Sequence, residues 1–250
     1  MFFLRENIEN FIKCIFLLIF VFPQPSRLCA DNYSLVLSFG LIKQSIYNVK
    51  TEYIENDNIY EIKFELLSTN GVSNILTDKI EGFGFSNGDI INGEHIPRKY
   101  QYIENKKDSK KEYYIEFNDE NSANGSRIPT YDKSKLTPID EDMLINVIDP
   151  ALAFFKLSNL SMLNECNKTI QIYDAKRRFD LNISNFKKNE NTVKCSIKSK
   201  KIGGYKIKEK LNPLELPYEM IIEFENINDT YKLNSIIGKN QYFTVSIERI

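Results

Sequence analysis

Tyr60-Glu61-Ile62-Lys63-Phe64-Glu65-Leu66 alternates apolar and charged residues without a break. Side chains leave a strand on opposite faces in turn, so this period of two describes a strand with one dry face and one wet face. The same period extends outward along the chain. Tyr33, Leu35, Leu37 and Phe39 alternate around Ser34 and Ser38, and Tyr113, Ile115 and Phe117 repeat the pattern. Ile170 with Ile172, then Phe179, Leu181 and Ile183, then Val193 to Ile197 form a further series. Glu219 to Phe224, and Phe243, Val245 and Ile247, complete it. Half-buried strands of this kind suit an antiparallel sheet rather than alternating strands and helices.

Asn70-Gly71, Asn87-Gly88, Asn92-Gly93, Asn124-Gly125 and Gly203-Gly204 supply candidate turns. Residues 104–112 read as a charged hairpin tip and residues 119–137 as a mobile polar excursion. Asp140 to Leu160 is the one helical region: Asp149 is an N-cap followed by Pro150 in the first turn, with Leu152, Phe155, Leu157 and Leu160 as its apolar side. The expectation is a mainly β fold, a single curved antiparallel sheet or half-open barrel with one short helical region, preceded by an N-terminal signal helix.

The N-terminus carries Arg5 and Lys13, then the apolar run Cys14 to Phe22, then Pro23, Pro25 and Leu28-Cys29-Ala30. That is the order of a secretory signal, with cleavage placed after Ala30. It divides the chain into a signal at 1–30 and one β-rich domain at 31–250, with no transmembrane helix after cleavage. The run is about half the ~20 residues that a membrane-spanning helix needs. A retained anchor, or a lipoprotein built on Cys29, is the alternative. Cys166 and Cys195 are the two cysteines outside this segment, an even pair suited to a disulfide in an oxidising compartment, with two buried thiols as the alternative. In a simple meander of residues 168–173, 178–184 and 192–198 the outer strands lie about 9–10 Å apart. Disulfide Cα atoms need roughly 4.4–6.8 Å. Cys166 is therefore expected on the connection entering the meander, bonded to a strand cysteine at 195.

The chain of 250 residues has 33 basic and 34 acidic groups, and this near-neutral balance excludes a general nucleic-acid binder with a concentrated basic face. No cofactor motif is present, and no metal site suggests itself, since the single histidine, His95, is far from the cysteines in sequence. His95 stands in Gly-Glu-His-Ile-Pro without a nucleophile elbow and reads as a loop residue. With no phosphate loop and no singled-out carboxylate pair, the expected protein is not an enzyme.

In order along the chain, several segments resemble DUF3108, an exported bacterial family of unknown function. They are Gly40-Leu-Ile-Lys43, Ser86-Asn-Gly88 with Gly93, Pro97-Arg98 and Tyr100, and Asp149-Pro150-Ala-Leu-Ala-Phe154. The most specific is Cys166-Asn-Lys-Thr-Ile-Gln-Ile-Tyr-Asp174-Ala-Lys-Arg177-Arg178-Phe-Asp180-Leu181, followed by Cys195, Ile202-Gly-Gly-Tyr205 and Ile237-Gly238 to Val245. The resemblance implies a periplasmic or envelope location and a curved antiparallel sheet with little helix; it implies no reaction. Ala175 stands where the family usually has glycine, a departure that costs something if the turn needs positive φ.

Two clusters carry a binding hypothesis. Asp174, Lys176, Arg177, Arg178 and Asp180 offer an anion clamp, although Arg177 and Arg178 face opposite ways on a strand and the alternative is a hairpin whose arginines pair with neighbouring aspartates. Aromatics on or near strands, among them Tyr60, Phe64, Tyr100, Tyr113 and Phe117, either fill the core or line a cavity for an apolar or amphipathic ligand. The candidate ligand-binding set is thus Tyr60, Phe64, Tyr100, Tyr113, Phe117 and Arg178. The expected partner is a lipid or another envelope component. The alternative is an envelope scaffold that holds another protein through a sheet edge or the 119–137 loop. An aromatic-lined pocket of several hundred Å³ favours the first reading, and a filled core with a long bare edge favours the second.

Overall fold

The computed structural model describes residues 27–39, 42–69, 79–164, 166–207, 219–239 and 244–250. The apolar run 14–22 and most of the expected signal, together with Asn70-Gly71, Tyr242 and Phe243, lie outside the described residues. The first seven strands are β1 (Arg27–Phe39), β2 (Ile42–Asn56), β3 (Ile59–Ser68), β4 (Ile80–Ile91), β5 (Glu94–Lys106), β6 (Ser109–Phe117) and β7 (Ala123–Ile128). A helix, α1 (Pro150–Leu157), separates them from β8 (Lys168–Tyr173), β9 (Arg178–Lys188), β10 (Thr192–Gly203), β11 (Glu219–Ile227), β12 (Thr230–Lys239) and β13 (Thr244–Arg249).

All thirteen strands form one sheet in the order β7-β6-β5-β4-β3-β2-β1-β13-β12-β11-β10-β9-β8. Every strand pairing is antiparallel among the described residues. The fold is therefore two meanders, joined where the first strand pairs with the last, from Tyr33 opposite Arg249 to Ser38 opposite Thr244. Bulges at Leu35/Val36, Asn87/Gly88, Lys194/Ser196 and Glu223/Phe224 increase local twist and curl the sheet. The result is a nearly closed barrel whose inward residues are the dry faces of the alternating segments: Tyr60 and Ile62, Leu181 and Ile183, Val193 and Ile197, Ile222 and Phe224 are all buried.

The edge strands β7 and β8 approach each other, with Gly125 lying under the ring of Tyr173. Residues 145–148 seal the seam: Ile145 bridges to Ser122 beside β7, and Ile148 runs parallel to Ile172 of β8. The Ile148 amide donates to the Gln171 carbonyl at 2.9 Å and accepts at its own carbonyl from Tyr173 at 3.0 Å. The chain then turns inward. Asp149 caps α1 by accepting from the Ala151 and Leu152 amides, Pro150 takes the first turn, and Leu152 and Leu157 are buried inside the barrel.

Several sequence expectations need correction. Only Pro150–Leu157 is α-helical within 140–160; Glu141–Leu144 and Leu160–Leu163 are separate 3-10 turns. Asn146 and Asn164 take positive φ, and the residue before a proline is disfavoured in the α region, so the helix can start only at Pro150. Residues 123–128 of the supposed excursion form edge strand β7. Gly88 and Gly125 lie inside strands rather than in turns, because a backbone or a ring passes close over each. Asn92-Gly93 is a true hairpin turn, with φ of 53° and 79°. At residues 104–112 the strands run almost to the tip, leaving Lys107 and Asp108 as the turn, with Lys111 paired to Glu104 at 3.0 Å across it.

Cys166 sits in the turn that leads into β8 and Cys195 lies on β10; the two form a disulfide with Cα atoms 5.6 Å apart. This is the loop-to-strand bond required by the spacing of the meander.

Candidate functional site

β4 contains Gly82 and Gly84 within Glu81-Gly82-Phe83-Gly84. With no side chains there, the inner rings of the neighbouring strands lie down over the backbone. Phe64 of β3 reaches across Gly84 to stack on Tyr102 of β5 at 5.6 Å, and Tyr102 stacks on Tyr113 of β6 at 5.8 Å. The flattened floor leaves room above it, and α1 forms the opposite wall. Phe154 meets Tyr33 edge-on at 5.2 Å, and Phe155 stacks on Tyr53 at 4.1 Å.

Between floor and helix lies a cavity of about 860 Å³, lined by Val49, Ile62, Phe64 and Tyr100 below, by Phe154, Phe155 and Met162 above, and by Tyr33, Tyr53, Tyr231 and Leu233 at the sides. Its opening lies at the barrel end where β1 begins and the Asn92-Gly93 and Asn228-Asp229 turns lie, since Leu28, Glu55, Gly93 and Thr230 all border it. Its charged lining residues are Asp31, Glu52, Glu55, Lys232 and Arg249, beside the histidine His95. Arg249 pairs with Asp31 at 2.9 Å, and Glu52 and Lys232 face the same space.

One wall carries a hydrogen-bond chain. Tyr53 donates to Glu55 at 3.0 Å, and its oxygen lies 2.9 Å from His95 Nε2. The phenol has one proton and gives it to Glu55, so His95 donates from Nε2. Burial, helped by the Lys156 charge, holds the His95 pKa below its ordinary value and favours this neutral imidazole. His95 is therefore a buried residue of β5 rather than a loop histidine. The register that pairs it with Ile90 turns it inward, and its Gly-Glu-His-Ile-Pro context gave no sign of that. Deeper in the barrel, Asp149 accepts from Ser86 at 2.7 Å as well as from the two helix amides, and full burial raises its pKa to about 6.

Of the residues singled out in the sequence, Phe64 and Tyr100 line the cavity. Tyr60 is wholly buried beside Ser86 and Asp149, with its ring 5.0 Å from that of His95. Tyr113 belongs to the stacked ladder and Phe117 to the core near the seam. Arg178 does not reach the cavity: it donates to the Met143 carbonyl at 3.0 Å and the Phe179 carbonyl at 2.7 Å, and pairs with Asp180 at 2.5 Å. Arg177 is likewise engaged, at 2.7 Å from Asp174. The hairpin account of this cluster is the one that fits. Tyr53, His95, Phe154 and Phe155 were not in the candidate set, because only the pairing of β2 with β1 and β3, and the inward path of α1, bring them to one wall. No cluster of His, Cys, Asp and Glu able to hold a metal occurs among the described residues.

No curated protein matches the chain. A crystal structure of a β-barrel-like protein of domain of unknown function DUF1849 from Brucella abortus is similar over 88% of this chain and 94% of that one, at 9% identity and a TM-score of 0.48. The family model described as "Protein of unknown function (DUF3108)" matches residues 32–208, and the chain accordingly belongs to that family.

Proposed function

We propose that this protein is an exported, non-catalytic domain that binds or carries an amphipathic envelope ligand, with the ligand's apolar chain in the barrel cavity. One observation carries the reading: the space of about 860 Å³ under α1 is walled mainly by aromatic and aliphatic side chains, with Asp31, Glu52, Glu55, Lys232 and Arg249 as its charged lining. Its size falls within the roughly 300–1,000 Å³ range of ligand pockets, and its polarity matches a molecule with a long apolar tail and a small polar head. The alternative, docking of another protein through a sheet edge or the 119–137 loop, is disfavoured at the seam, where residues 145–148 bridge to Ser122 beside β7 and to Ile172 of β8.

Export draws support from the N-terminal residue order and from the Cys166–Cys195 disulfide. The sheet also tolerates the cleavage. Residues 27–31 of β1 pair with β2 alone, whereas Tyr33 to Ser38 pair on both sides, so removal of Arg27 to Ala30 takes Leu28, Cys29 and Ala30 from the cavity mouth and leaves the paired seam between β1 and β13 in place.

Native mass spectrometry of the protein isolated from the periplasm tests both parts. The expected species begins at Asp31 and carries a co-purifying lipid that is absent from an Ile62→Trp variant, whose indole fills the cavity. A ligand-free protein recovered with a stoichiometric protein partner would overturn the carrier reading. A chain still beginning at Met1 in the cytoplasm would overturn export.

A further inference from the structure

The barrel end opposite the cavity mouth carries a set of cations that the hairpin cluster leaves unneutralised. Arg127 is the penultimate residue of edge strand β7, where it pairs in register with Tyr113 and holds its guanidinium 5.4 Å from that ring's centroid. Its Nε is enclosed and has no hydrogen-bond partner. Lys176, in the β8–β9 turn, lies with Nζ 5.8 Å from the centre of the Tyr131 ring. Tyr131 in turn reaches the Ala175 carbonyl with its hydroxyl at 3.4 Å, which fastens the segment after β7 to that turn. Lys206 follows β10 and bridges through its backbone to Leu136.

Asp174 is the one carboxylate acting on Lys176, and its oxygens are already held by Arg177 at 2.7 Å and by the Lys176 and Arg177 amides. Among the described residues no carboxylate pairs with Arg127, Lys176 or Lys206. Partly buried like charges repel one another, and a fold tolerates such a group when an anion neutralises it. Burial holds the Lys176 pKa below its ordinary value, with the charges of Arg177, Arg127 and Lys206 acting in the same sense and Asp174 opposing them.

We propose that Arg127 and Lys176, with Lys206 at the rim, form an oxyanion-binding site of phosphate type at the β7–β8 seam. The Arg127 guanidinium supplies a planar pair of donors and the lysines supply point charge, which is the division of labour that phosphate recognition uses. The site is separate from the cavity, which none of the three residues lines. It stands or falls independently of the carrier reading. The phosphate belongs either to a free oxyanion or to a lipid headgroup.

The test uses purified oxidised protein. Calorimetric titration with sodium phosphate, against sodium chloride at matched ionic strength, measures the free anion. Flotation with phosphatidylcholine vesicles, with and without phosphatidylglycerol, measures the headgroup. Saturable phosphate binding, weakened about tenfold or more by Arg127→Gln and by Lys176→Gln but unchanged by Lys63→Gln, supports a free oxyanion. Phosphatidylglycerol-dependent flotation lost in the same two variants, without binding of free phosphate, supports a headgroup. Lys176→Gln removes a partly exposed charge from a turn, so it remains informative if Arg127→Gln does not fold. Absence of both kinds of binding, or binding that the two variants leave unchanged, overturns the site.

Discussion

Gly84 lies directly beneath Phe64: the two are paired in register on β4 and β3, and a Cβ on Gly84 would stand 2.3 Å from Phe64 Cζ and 2.6 Å from the Gln101 carbonyl oxygen. A backbone oxygen cannot swing away as a side chain can. Gly84→Ala is therefore expected to destabilise the fold by about 2–3 kcal/mol, by overpacking. Because Phe64 floors the cavity, the variant should also lose ligand. Gly93→Ala, with open space around its Cβ but φ of 79°, should cost only about 1 kcal/mol. Denaturant midpoints of the two variants and a native mass spectrum of Gly84→Ala decide this, and equal losses of stability in both would contradict it.

The Cys166–Cys195 disulfide closes a loop with a sequence separation of 29 residues. Chain-entropy estimates for such a loop give about 3–4 kcal/mol. The Cys166→Ser/Cys195→Ser double variant should lower the unfolding free energy by that amount, more if the buried hydroxyls find no partners. A variant with an unchanged urea midpoint would show that the bond contributes nothing.

Ala175 occupies the turn between β8 and β9 at φ of 68° and is fully buried. The left-handed region costs a non-glycine residue roughly 1–2 kcal/mol, and the methyl group recovers less than about 1 kcal/mol by burial. Ala175→Gly is expected to be neutral to about 1 kcal/mol stabilising, and Ala175→Val to destabilise by about 2 kcal/mol or more. Thermal melts of the pair provide the measurement; a glycine variant less stable than the valine variant would refute the strain.

The folded-state pKa of Asp149, raised from 3.8 to about 6 chiefly by burial, makes stability depend on pH. Between those values the folded protein holds a proton that the unfolded chain has released. The stabilisation is complete below pH 3.8 and is lost as pH rises through about 6, with a total of about 3 kcal/mol. His95 works in the opposite sense below its ordinary pKa of 6.5, since the unfolded chain takes up that proton more readily. The difference between wild type and Asp149→Asn isolates the carboxyl, because asparagine still caps a helix. The wild type should lose ground to the variant from pH 4 to 7, and parallel melting curves across that range would contradict this.

Much of the architecture was legible in the sequence because it is written locally. Alternation at Tyr60 to Leu66 places Tyr60 and Ile62 inward whatever strands lie beside them. Asp149-Pro150 starts a helix through its own hydrogen bonds and its own fixed φ. With Cys166 and Cys195 as the two cysteines beyond the N-terminal segment, their pairing follows from the count and their placement from strand spacing. Phe64 and Tyr100 entered the candidate site on the same basis, as aromatics on inward faces.

The remaining features depend on which strands become neighbours, and that is set between residues far apart in the chain. The pairing of Tyr33 with Arg249 closes the barrel, and nothing near either residue announces it. Gly88 and Gly125 resemble turn glycines until the Ile96 backbone and the Tyr173 ring arrive over them from other strands. His95 and Tyr53 become one hydrogen-bonded wall, and the Nε of Arg127 becomes enclosed without a hydrogen-bond partner, only once β2, β5 and β7 have fixed their registers. Backbone periodicity, being a property of each segment alone, marked β1, β3, β6, β8, β9, β10, β11 and β13; the strands β2, β4, β5, β7 and β12, the cavity and the charged seam arose from non-local pairing and packing, which has no period to read.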